Sequence, residues 1–497
     1  MQRLLASTIV VLGSLLCGNA VATQDDSTGT DSLMQGSYWR QQALDQLIPL
    51  WYAHVRDEEY GGFYMNLSRD WKPLPPWDKI SPMVSRQVFS FSAAYLLSGD
   101  ERYLSAAKQG ATYLLEHAWD KEYGGWYQEL TQTGEPKVTT KEAANQLYTD
   151  VGMTLYYFTT GDQEVLAHVM KSVEIRRTRA HDAQLDGYYQ VLNRDLTVKD
   201  DGKNKHSHYG YVGSLLLNLY LATHDADILQ FERHLTDLTL DRMSDQEGWV
   251  LGYGSTFDRN WKLTPQLIDS VEVISVGAQL TATLSFLRLY HQTAEPRYLE
   301  RGKALGDLVS RWGWDAERGA WLDYIGREAP HRPVAKPMVS WWIQIYGAFL
   351  QLQLYNLTHD AAYLERFQKS ERFFVEHMMD REFGGVYANV SAAGTLEDEG
   401  GKASPWHTSY HEIEHDLLNY LYLNLYVHKV PVTLHFKLDG GAGGTKHYVS
   451  CVDDPTVAIG AVQIDGKPWT QFDARERYAV LPPGKDLRVE VTLVPGR

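Results

Sequence analysis

Asp57-Glu58-Glu59-Tyr60-Gly61-Gly62-Phe63-Tyr64 returns as Asp120-Lys121-Glu122-Tyr123-Gly124-Gly125-Trp126-Tyr127 and as Asp380-Arg381-Glu382-Phe383-Gly384-Gly385-Val386-Tyr387. Weaker copies run from Asp182 to Tyr189, from Asp245 to Trp249 and from Asp315 to Trp321. The six copies lie about 60 to 70 residues apart, a period that marks a repeat architecture. A second mark keeps phase with the first. Asp100, Asp162, Asp225, Glu295 and Asp360 each open an apolar-periodic stretch, as a helix N-cap does. Tyr103, Leu104, Ala107, Ala111, Leu114 and Leu115 trace one such buried face.

Each repeat therefore reads as a helical hairpin, with glycine supplying the positive φ of the turn between elements. Six hairpins over residues 37–428 can form an open solenoid or close into a ring. Leu215 to Leu217 and Leu417 to Tyr426 look apolar nearly all round, which suits a closed (α/α)6 barrel with six inner helices about a pocket. After His428 the period changes to two: Val432, Leu434, Phe436 and Leu438 alternate with polar residues, as do Leu487, Val489, Val491 and Leu493. Residues 429–497 read as a small C-terminal β-sheet domain packed on the barrel.

The N-terminus reads as a targeting segment rather than structure. Arg3, the apolar stretch Leu4 to Leu16 and Ala20-Val21-Ala22 predict a signal peptide over residues 1–22, followed by a disordered linker over 23–36. Cleavage would discard Cys17 and leave Cys451 alone, so the expected protein is exported, periplasmic or secreted, and free of internal disulfides. No membrane association is expected after cleavage. The formal charge of −16 disfavours nucleic acid as a partner. With 15 Trp and 31 Tyr the chain is rich in side chains that suit a wet groove as well as a core.

From about residue 40 to 428 the chain resembles the N-acylglucosamine 2-epimerase superfamily, which includes cellobiose 2-epimerases and aldose–ketose isomerases. The matching segments are Gly61-Gly62-Phe63-Tyr64, Asp78-Lys79, Arg86 to Ser92, Lys141-Glu142 with Asn145-Gln146, Trp341-Trp342-Ile343-Gln344, and Trp406 to His411. The resemblance implies a cofactor-free barrel enzyme acting on a mono- or oligosaccharide. It assigns Arg86 to substrate oxygens, Gln146, Trp342, Gln344 and Tyr410 to the pocket, and His411 to acid/base chemistry. His208 aligns with a third-repeat histidine after a one-residue slip. Where the family has His-x-x-Glu in the fourth repeat, this chain reads Asp269-Ser270-Val271-Glu272, and Tyr346 stands in place of a family glutamate.

The residues support such chemistry directly. Epimerising a reducing sugar removes and returns a proton beside a carbonyl, which needs an acid and a base with pKa values near working pH. Asp269 and Glu272, one helical turn apart, would share a side and hold a proton between them, giving His411 a partner. The same carboxylates, opposed to Glu412 or Glu414, would equally serve a glycoside hydrolase or lyase. His411-Glu412-Ile413-Glu414-His415 also fits His-Glu-x-x-His, although it lacks a third zinc ligand. A non-catalytic sugar-binding protein is a further alternative. The sequence leaves the sugar and the oligomeric state open.

Overall fold

The computed structural model describes residues 32–209 and 211–496, with backbone alone for 211–214. It is mainly helical, with twelve long helices and a C-terminal antiparallel sheet region. In chain order the helices are α1 (36–54, in three consecutive segments), α2 (Ser81–Ser98), α3 (Glu101–Tyr113), α4 (Ala143–Thr160), α5 (Gln163–Arg179) and α6 (Tyr211–Thr223). The second half continues with α7 (Ala226–Arg242), α8 (Val276–Thr293), α9 (Pro296–Trp312), α10 (Trp341–Thr358), α11 (Ala361–Phe373) and α12 (Tyr410–Tyr422). Each even-numbered helix packs on the next even-numbered one, and α12 packs on both α2 and α1. The six inner helices thus close into a ring, with the odd-numbered helices outside it.

The caps follow the sequence. Asp100, Asp162, Asp225 and Asp360 each accept a hydrogen bond from a backbone N–H in the first turn of α3, α5, α7 and α11. Glu295 makes no such bond, and α9 instead begins on Pro296, whose fixed φ suits that position. Between inner and outer helices the chain turns through the left-handed region at Gly99 and Gly161, but also at His224, Ala294 and His359.

The repeated aspartate has a structural job. One oxygen of Asp57, Asp120 and Asp380 accepts backbone N–H groups two and three residues on, which sets the glycine turn. The other oxygen meets a buried lysine from just before the next inner helix: Lys79 at 2.5 Å, Lys141 at 3.2 Å and Lys402 at 2.7 Å. Asp182 and Lys203 repeat the pair at 3.3 Å. A buried pair that lost one member would leave an uncompensated charge, so each pins a turn to the ring.

Beyond the helices, Val432–Leu438, Leu487–Val494, Ala458–Ile464 and Lys467–Trp469 form a four-stranded sheet in that spatial order. Its core is continuous with that of the helices. The loop after Tyr448 closes the end of the ring away from the inner-helix N-termini. There Asp453 takes a bidentate contact from Arg288 of α8 at 2.7 and 3.1 Å, and His447 bonds the Phe158 carbonyl of α4 at 2.7 Å.

One expectation about the N-terminal segment changes. The proposed signal peptide lies outside the described residues. The expected disordered linker is partly ordered: Ser32–Met34 forms a helical turn, Leu33 is buried, and its carbonyl accepts the Trp39 indole N–H at 3.0 Å. Among the described residues no helix is long and apolar enough to cross a membrane.

Candidate active site

At the N-terminal mouth of the inner ring lies a cavity of about 330 Å³. Arg86 enters from α2, Asn145 and Tyr148 from α4, Trp341 and Trp342 from α10, and His411 from α12. Lys205 and His206 come from a short helical turn ahead of α6, and Tyr253 and Trp406 come from loops. The parallel inner helices bring these distant segments to one place.

His411 is 2% exposed, and burial in this aromatic shell lowers its pKa to about 4. At neutral pH the ring is therefore uncharged. Its Nδ1 lies 3.2 Å from Glu414 Oε2, which also accepts the Tyr346 hydroxyl at 3.0 Å, while Oε1 accepts the Tyr410 hydroxyl at 3.0 Å. A carboxylate so supplied with donors holds the imidazole proton on Nδ1 and leaves Nε2 with a lone pair. Trp342 stacks on the ring at 6.4 Å between centroids. Tyr346 thus orients a carboxylate delivered from α12.

Lys205 faces the same space. Its ammonium lies 4.3 Å from the Tyr253 ring centroid and 5.3 Å from that of Trp342. Burial alone lowers its pKa to about 7. His206, held neutral with a pKa lowered to about 3 by burial and then by Lys205 and Arg86, has a buried Nδ1 with no hydrogen-bond partner among the described residues. A buried orphan of this kind beside a cavity suits a ligand hydroxyl. The Arg86 guanidinium sits over Tyr148 at 4.4 Å and donates to the Trp406 carbonyl at 3.2 Å.

Trp406 is 73% exposed at the rim, a flat apolar face open to an arriving sugar ring. Trp406→Ala is expected to raise KM by about tenfold, the size of one aromatic contact, with kcat nearly unchanged. Steady-state kinetics would show the split, and an equal loss in kcat would refute a binding-only role.

Several residues singled out in the sequence stand elsewhere. Gln146 takes the Trp126 N–H at 2.8 Å and gives its own N–H to the Trp126 carbonyl at 2.7 Å. Gln344 does the same for Trp321 N–H at 2.8 Å and the carbonyls of Gly319 and Ser370 at 3.0 and 2.7 Å. His208 Nε2 accepts the Tyr188 N–H at 3.0 Å. Gln279, the fourth residue of α8 as Gln146 and Gln344 are of α4 and α10, bonds Val250 through both N–H and carbonyl. These side chains fasten the glycine turns to the inner helices and do not line the cavity. Gln344→Ala should cost about 2–3 kcal/mol by stranding buried backbone groups. A denaturant melt would register that loss, whereas a large KM change would favour a substrate contact.

Asp269 and Glu272 also depart from expectation. They lie in a hairpin ahead of α8, not at a helix start. Ile268 pairs with Val271, and Asp269 and Ser270 form the two-residue turn with φ of 49° and 67°. Asp269 is exposed, and Glu272 approaches Arg327 at 3.8 Å. Helix α8 starts seven residues later, as Val276-Gly277-Ala278-Gln279. Glu412 is buried, accepting from Trp51 at 2.9 Å with His407 at 3.2 Å, so no carboxylate pair of Asp269 or Glu272 with Glu412 or Glu414 spans the cavity. His415 turns away to Glu371 at 2.8 Å, leaving His411 and His415 without a shared ligand position.

Lys205, His206, Glu414 and Trp406 carry more of the site than the sequence reading gave them. In the sequence Lys203 to His208 reads as a polar loop that suits a solvated turn and a substrate loop equally.

Comparison with known proteins decides the family. The model for N-acylglucosamine 2-epimerase (GlcNAc 2-epimerase) matches residues 61–413. The chain belongs to this family. It is thus a sugar 2-epimerase/isomerase family enzyme. It is 25% identical to a cellobiose 2-epimerase of Bacteroides fragilis over 389 residues, 74% of this chain and 93% of the relative. It is 23% identical to a D-mannose isomerase of Marinomonas mediterranea, over 74% of this chain and 93% of that one. The solved cellobiose 2-epimerase of Spirochaeta thermophila superposes with a TM-score of 0.71 at 20% identity, covering 80% of this chain and 99% of that structure, a likeness of fold. The family match ends near α12, so the C-terminal sheet region lies beyond it.

Proposed function

We propose that the protein moves a proton at C2 of a reducing mono- or disaccharide, with neutral His411 as the base and Lys205 as the ammonium that faces the carbonyl. The observation that carries this reading is the Glu414–His411 pair opening on a cavity that also holds a buried lysine. His411 Nε2 takes the C2 proton, and the C–H electron pair becomes the C1–C2 double bond of an enediolate. The charge that develops on O1 is met by Lys205 and Arg86 in a water-poor site. Return of a proton to the opposite face of C2 gives the epimer, and return to C1, with the O2 proton passing to O1, gives the ketose. Val276 occupies the first position of α8 and offers no proton-transfer group. Lys205 and His411 both lie against the Trp342 ring, which places the ammonium beside the base.

Incubation in D2O with cellobiose and D-mannose, substrates suggested by the relatives' names, tests the proposal. Deuterium should appear at C2 of recovered sugar, and its absence across a panel of reducing sugars would reject the reading. The pH profile follows from the two groups. His411 works when neutral, so activity should fall below about pH 4, and Lys205 works when charged, so it should fall above about pH 7. Lys205→Arg should lose the alkaline limb while Lys205→Met loses most turnover. An unchanged limb in both variants would remove Lys205 from the mechanism.

Export belongs to the same proposal and rests on the Arg3, Leu4 to Leu16 and Ala20-Val21-Ala22 pattern. Intact mass of the expressed protein should show an N-terminus at Thr23, and a retained Met1 segment in the mature protein would refute it.

A further inference from the structure

The glycine turn of each repeat lies against the following outer helix. A Cβ at Gly61 would meet Tyr113, one at Gly124 would meet Ile175, and one at Gly384 would meet Leu50. The third repeat departs from this pattern at three places together. Its turn residue is Asp186 with φ of 61°, where Gly61, Gly124 and Gly384 stand at 78°, 79° and 72°. Aspartate tolerates the left-handed region, so this turn forms without glycine and carries a carboxylate where the sister turns carry no side chain. The residue before the repeat aspartate is His181, where the others include Trp119 and Met379. The outer helix that faces the turn, α7, presents His234.

We propose that His181, Asp186 and His234 bind a divalent first-row transition metal ion, with zinc as the reference. The Nε2 atoms of both histidines lie 3.1 Å from Asp186 Oδ1, and the three donor atoms lie within 4.8 Å of one another. Zinc bonds of about 2.0–2.1 Å in a tetrahedron separate neighbouring ligands by roughly 3.3 Å, so the cluster needs little movement to close on an ion. Two imidazoles and a carboxylate are the donor types that zinc accepts, with a water completing four. The Gly187 N–H donates to the same Asp186 Oδ1 at 2.7 Å and holds the carboxylate in place. The three side chains are 36%, 43% and 40% exposed, open enough for an ion and its water to enter. The ion would join the end of α5, the turn and α7 as a clip, outside the sugar cavity.

The test is calorimetric titration of zinc into the chelator-treated, dialysed full chain, with magnesium as a control and cobalt absorption as a report of geometry. One zinc per chain at micromolar affinity is expected, with no response to magnesium and visible tetrahedral d–d bands from cobalt. Asp186→Gly restores the residue of the sister turns, so it should fold and melt normally yet bind zinc at least 100-fold more weakly. His234→Ala should do the same. Both variants should keep the sugar activity of the parent. The proposal is overturned if the parent binds no stoichiometric zinc, the case in which the cluster is two imidazole N–H groups sharing a carboxylate. It is equally overturned if zinc binds Asp186→Gly as tightly as the parent.

Discussion

His411→Ala is expected to lower kcat by about 10² to 10⁴, the range for losing a proton-transfer group. Sugar affinity should stay within a few-fold, because Trp406, Arg86 and His206 approach the cavity from other elements. The fold should tolerate the change, since Glu414 keeps the hydroxyls of Tyr346 and Tyr410 as donors. Deuterium exchange at C2 under single-turnover conditions isolates the chemical step, and calorimetry isolates binding. Glu414→Gln should fall between parent and His411→Ala, because it keeps the geometry but weakens the hold on the imidazole proton. Parental activity in His411→Ala would reject the acid/base role outright. A loss confined to binding would turn His411 into a sugar contact.

Asp453→Ala is expected to destabilise the protein by about 3–5 kcal/mol, the cost of leaving a buried charge without its partner. Arg288 is 11% and Asp453 4% exposed at the side chain, and the pair is bidentate. Gln292 of the same helix also bonds the Asp453 carbonyl at 3.0 Å. The contact therefore joins the base of the inner ring to the C-terminal region. Urea unfolding should show one transition moved to lower denaturant, because the two parts share one core. Replacing both partners with apolar residues should recover much of the loss. A change below about 1 kcal/mol, or a separate early transition for the strands, would mean that the C-terminal region stands apart from the ring.

The sequence by itself determined the repeat. The aspartate, the glycine turn and the capping acids are local devices, and local hydrogen bonds repeat wherever the residues do. It also determined the C-terminal strands, through a period of two, and the helix that carries His411. The site needed more. The family resemblance places Gln146 and Gln344 in the pocket, yet their position at inner-helix starts gives them the turn N–H and carbonyl groups to satisfy. Asp269 and Glu272 read as one helical turn, but a hairpin delays α8 to Val276, and spacing in a chain does not tell a helical three from a hairpin three. Lys205 could be placed only by the tertiary structure. Its lowered pKa comes from burial among Tyr253 and Trp342, residues far along the chain, and solvent exclusion is a property of assembled elements rather than of any one segment.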